Sequence, residues 1–71
     1  MDTVELPGCP NGSLLAASYL LSRRPHKAAF LVPDRDCVAV LKYVLPLLGY
    51  SVRVEERGGA WLVEASAVEK A

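Results

Sequence analysis

Cys9 and Cys37 are the side chains of this chain best suited to covalent chemistry, and the residues around each bear on how reactive its sulfur would be. Cys9 stands in Leu6-Pro7-Gly8-Cys9-Pro10, after an alternating run in which Val4 and Leu6 are apolar, and before apolar residues at helical spacing from Leu14 onward. The spacing predicts a strand-to-helix turn. Proline is favoured at the first helical position, so Pro10 at N1 makes Cys9 the N-cap. There, unpaired backbone N–H groups and the positive end of the helix dipole would favour thiolate, the nucleophilic form of the sulfur. Two other readings fit the same residues: Ser13 as the true N-cap with Cys9 in a loop, or Cys9 as a small hydrophobe filling a gap. Cys37 follows Pro33-Asp34 at the start of a second helical pattern. Its helix dipole favours thiolate, whereas Asp34 and Asp36 oppose it by like-charge repulsion, so Cys37 is expected to be the secondary, packed thiol. A lone His26 gives a hydrolytic Cys-His pair little support. The sequence has no Cys-x-x-Cys, no zinc-type His/Cys spacing, no phosphate-binding loop and no dinucleotide fingerprint, so neither cofactor nor metal is expected.

Composition narrows the classes of function. Eight basic and eight acidic residues give zero net charge, which removes the electrostatic case for nucleic acid or an anionic membrane as ligand. Apolar runs fall short of the ~18 residues of a membrane span. Met1-Asp2-Thr3 lacks the basic-then-apolar pattern of a secretory signal, so a cytoplasmic protein is expected. Two cysteines in that setting point to catalysis or redox chemistry more than to a structural staple. At 71 residues the chain makes one domain, spanning 1–71, and 52% hydrophobic content suits a core that must use nearly every apolar side chain.

The positioning elements follow from periodicity. The first helix runs from Asn11-Gly12-Ser13 to Arg23-Arg24-Pro25, with Leu14, Ala17, Leu20 or Leu21 and Arg24 at helical spacing and Leu15 beside them. Arg23, Arg24, His26 and Lys27 form a basic cluster at the negative end of its dipole, expected to compensate that dipole on a solvated end, with a dedicated binding patch as the alternative. Ala28 to Val32 is a continuous apolar run, as in an inner strand. Val38, Leu41, Leu45 and Leu48 mark the second helix, capped by Asp34 or Asp36, loosened near its end by Pro46 and terminated by Gly49. Tyr19, Tyr43 and Tyr50 are expected to be half-buried packing residues. Ser51 to Arg57 alternates, Gly58-Gly59 makes a two-residue turn, and Ala60 to Ala65 completes a hairpin, leaving Ser66 to Ala71 as a tail without evident role. The order is βαβαββ. It predicts an α/β, that is α+β two-layer, sandwich with a mixed four-stranded sheet and both helices on one face.

In that order and in several short motifs the chain resembles the TusA/SirA/YedF sulfur-carrier family. The likeness is carried by Asp2 to Leu6 as the opening strand, Gly8-Cys9-Pro10 as the Cys-Pro turn, Val32-Pro33-Asp34 as the acidic end of the second strand, and Leu48-Gly49-Tyr50-Ser51-Val52 as the junction into the third. It departs from the family's Cys-Pro-x-Pro pattern at Gly12, which stands in place of the second proline, and Gly8 directly precedes the cysteine. The resemblance implies a carrier more than a turnover enzyme. Cys9 would accept a sulfane sulfur as a persulfide, with Pro10 positioning it, and pass it between donor and acceptor proteins of tRNA thiolation, molybdenum-cofactor maturation or sulfur oxidation. Nucleic acid and membrane would not be direct partners. Two further classes remain: a dithiol redox module using Cys9 and Cys37, and a plain interaction domain with inert cysteines. The redox module requires Cα atoms within about 7 Å. Turns that follow parallel strands open on the same edge of a sheet, but they can diverge, so spacing alone leaves this open.

Overall fold

A computed structural model of the chain describes residues 3–9 and 11–68. The N1 position expected of Pro10 and the last residues of the expected tail lie outside them. The elements are β1 (Thr3–Glu5), α1 (Asn11–Arg23), β2 (Lys27–Val32), α2 (Arg35–Leu47), β3 (Tyr50–Arg57) and β4 (Ala60–Ala67), in the expected order. They form one four-stranded mixed sheet of order β1-β2-β4-β3, in which β1 and β2 are parallel and β4 pairs antiparallel with both β2 and β3. Alternation along β2 sends Ala28, Phe30 and Val32 into the core, where they meet Ala16 and Leu20 of α1 and Val38, Leu41 and Leu45 of α2. Both helices therefore cover the same face of the sheet. Tyr19 stands edge-on to Phe30 with ring centroids 5.9 Å apart, closing the core on the α1 side.

The second helix keeps the face its spacing predicts. Pro46 lies inside α2, and the chain leaves the helix through tightened i→i+3 bonds, Leu48 N–H to the Leu45 carbonyl at 3.0 Å and Gly49 N–H to that of Pro46 at 3.1 Å. Gly49 follows with φ +93°, the left-handed conformation that ends helices. Gly58 and Gly59 both take positive φ, as the tight turn between β3 and β4 requires.

Three expectations are corrected. First, the buried stripe of α1 is Gly12, Ala16 and Leu20, while Leu14 is 66% and Leu21 53% exposed, with Leu15 also outward. Small residues at 12 and 16 let the helix sit close to the layer beneath it, and this close approach, rather than leucine content, sets its rotation. Second, Ser66 and Ala67 belong to β4: they pair with Ser51 and Tyr50, and Ala67 N–H donates to the His26 carbonyl at 2.8 Å. Backbone pairing holds these small residues in the sheet, although their side chains give no apolar signal. Third, the tyrosines differ from one another. Tyr50 is buried with its hydroxyl donating to the Pro25 carbonyl at 2.8 Å, Tyr19 is half-buried, and Tyr43 is 74% exposed on the outer side of α2.

Candidate dithiol site

Cys9 and Cys37 form a disulfide with their Cα atoms 5.1 Å apart. The sheet topology brings them together. Cys9 follows β1 and Cys37 follows β2, and because these strands are adjacent and parallel, the turns after them emerge side by side at one edge. The distance lies inside the disulfide range, so the divergence of turns that sequence could not exclude does not occur.

The two sulfurs sit in different surroundings. Cys37 is the third residue of α2 and is fully buried, 0% exposed, within the core. Asp34 caps that helix with extended backbone, and its Oδ1 accepts the Cys37 N–H at 2.7 Å. Cys9 is half-buried at the margin of the core, in the turn leading into α1. That turn is closed by Gly12 N–H donating to the Gly8 carbonyl at 3.1 Å, so Gly8 rather than Cys9 supplies the cap-like carbonyl. As a disulfide, neither sulfur titrates.

Two glycines permit this arrangement. A Cβ at Gly12 would collide with the Pro7 carbonyl oxygen and come within 3.2 Å of Cys37 Sγ; one at Gly8 would stand 2.8 Å from Asp34 Oδ2. Gly12 therefore lies directly against Pro7 and the buried sulfur. Its N–H bond to the Gly8 carbonyl is one that a proline at this position could not make, since proline has no N–H to give. In an exposed helix interior, glycine to alanine stabilises by about 1 kcal/mol. Here the sign reverses: Gly12→Ala is expected to destabilise the protein by about 1–3 kcal/mol, the usual cost of overpacking, as read by chemical denaturation. A stability gain would show that the first turn of α1 is not pressed against Pro7 and Cys37.

The packing of Gly12 against Pro7 and Cys37 is not visible in the sequence, where glycine at a helix start reads as a weak helix former that leaves open space beside Cys9. Asp34 was legible as a cap, but not its closeness to the Gly8 turn. At the same edge, Leu6 and Pro33, which lead into the two cysteine turns, line a groove of about 220 Å³ with Glu5, Leu31 and Ala60. The Arg23, Arg24, His26 and Lys27 cluster lies at the opposite end of α1 from Cys9, with the Arg23 guanidinium 5.5 Å from the Tyr19 ring centroid. Among the described residues no group of three or more His, Cys, Asp or Glu side chains could hold a metal, and no helix is long and apolar enough to cross a membrane. Comparison with family models, curated proteins and solved structures gave no match.

Proposed function

We propose that the chain is a dithiol/disulfide exchange module in which Cys9 is the sulfur that partners reach and Cys37 is the buried sulfur that closes the bond. The observation that carries this reading is the bond between a half-buried and a fully buried cysteine on neighbouring turns. Exchange proceeds by in-line attack of a thiolate on one sulfur, expelling the other. An incoming thiolate has access to Cys9, so Cys37 is the leaving group. It departs beside the N-terminus of α2, where the dipole favours the thiolate against the opposing carboxylate of Asp34. In a cytoplasmic setting, where disulfides are mostly transient and catalytic, the pair would cycle between dithiol and disulfide with protein thiols as partners.

The carrier reading keeps one specific support. With the bond reduced, Cys9 is the more accessible thiol and lies at the entrance to a helix, the setting that favours a nucleophilic sulfur. It would hold a persulfide and exchange it with donor and acceptor proteins.

Trapping separates the roles of the two cysteines. In a glutathione redox buffer, Cys37→Ser is expected to accumulate a mixed disulfide on Cys9, whereas the native chain closes its internal bond and Cys9→Ser stays largely unmodified while folded. Mixed disulfide forming as readily on Cys37 in Cys9→Ser would overturn the assignment.

A further inference from the structure

We infer that the pair reduces sulfane sulfur to sulfide: Cys9 receives the sulfur as a persulfide and Cys37 expels it. The loading step rests on the carrier reading; the discharge rests on the position of Cys37. A persulfide can give up its outer sulfur intact to an acceptor, or its inner sulfur can be attacked by a second thiol and the outer one released. The second route needs a thiol behind the inner sulfur. Cys37 Sγ occupies that place, because it is the atom bonded to Cys9 Sγ in the oxidised chain. Gly12 packs against it, and it is wholly buried, so Cys9 is the sulfur it is placed to attack.

The chemistry balances within one chain and one donor. In the reduced protein, the Cys9 thiolate attacks the outer sulfur of a low-molecular-weight persulfide, RSSH, forming Cys9–S–SH and releasing RS⁻. The persulfide gives its proton to RS⁻, its ionised outer sulfur takes the proton of the adjacent buried Cys37 thiol, and the Cys37 thiolate attacks Cys9 Sγ. The bond between the two cysteine sulfurs forms, the bond from Cys9 Sγ to the outer sulfur breaks, and its electron pair leaves with HS⁻. The sulfane sulfur gains two electrons, and the two cysteines lose two in becoming the disulfide. An external dithiol returns the pair to its reduced form by exchange. A module built only to hand sulfur on intact has no use for a thiol in this position.

The test uses fully reduced protein, anaerobic buffer and glutathione persulfide as donor, with acid quenching, alkylation and intact mass as readout and released sulfide measured beside it. Cys37→Ser and Cys37→Ala are expected to retain one added sulfur on Cys9, agreement between them excluding an effect of a buried hydroxyl. The native chain is expected to finish as the Cys9–Cys37 disulfide, with a stoichiometric release of sulfide above that seen with Cys9→Ser/Cys37→Ser. If the native chain keeps the added sulfur and a free Cys37, the discharge is wrong and the carrier reading stands. If folded Cys37→Ser takes up no sulfur while Cys9 still alkylates, the carrier reading fails and this inference fails with it.

Discussion

Reducing the Cys9–Cys37 bond is expected to lower the stability of the fold by about 3.5 kcal/mol. The bond closes a loop with a sequence separation of 28, and chain-entropy estimates for loops of this size lie between about 3 and 4 kcal/mol. For a domain this small the net stability left by the apolar core is only about 3–5 kcal/mol, so a contribution of this size from the bond is comparable to the whole. The melting temperature should fall by on the order of 20 °C on reduction. Trp61, the lone tryptophan, is partly buried against the core and gives a fluorescence signal for unfolding in either redox state. The Cys9→Ser/Cys37→Ser variant should melt with the reduced chain. A shift of only a few degrees would mean that the reduced chain holds the two turns together without the bond.

A second large effect concerns the order in which the thiols react. In the reduced, folded protein Cys9 is expected to alkylate at least about tenfold faster than Cys37. Cys37 is sealed inside the core and reacts only when the structure opens, and each 1.4 kcal/mol needed for opening slows it about tenfold. Cys9 is already at the margin of the core, where a reagent meets it without any opening of the structure. In denaturant the two rates should converge. Mass mapping of singly alkylated chains in native buffer and in denaturant provides the check. Equal rates in native buffer would remove the basis for assigning Cys9 as the exchange sulfur.

The parts of this molecule that were legible in sequence are those governed by periodicity and turn chemistry. Val38, Leu41 and Leu45 step by three and four behind the Asp34 cap and form the buried face of α2 as their spacing indicates, while Val40, Tyr43 and Leu47 on the other side stay exposed. Gly49 and the Gly58-Gly59 pair announced their turns because left-handed backbone strongly favours glycine. α1 misled because it carries two candidate stripes. Leu14 and Leu21 outweigh Gly12 and Ala16 in any sum of hydrophobicity, yet the small residues allow the close approach to Pro7 and Cys37. The disulfide was legible as a possibility, since two cysteines followed two strands that could be neighbours. Its formation depended on the path of the turns, which Gly8 and Gly12 make tight for steric reasons that no one-dimensional pattern records.

The placement of β1 also bears on how the chain reaches its native state. β1 is a three-residue edge strand whose sheet partner is β2, and the two are separated by the whole of α1. So short a parallel strand offers few contacts to offset the entropy of closing that loop, which makes its docking a slow, late step in a reduced chain. An oxidised chain begins with the ends of β1 and β2 already tethered. Its search for the register Thr3 to Ala29 is confined from the outset, so the oxidised chain is expected to refold faster than the reduced one, with the redox poise of the surroundings selecting between the two.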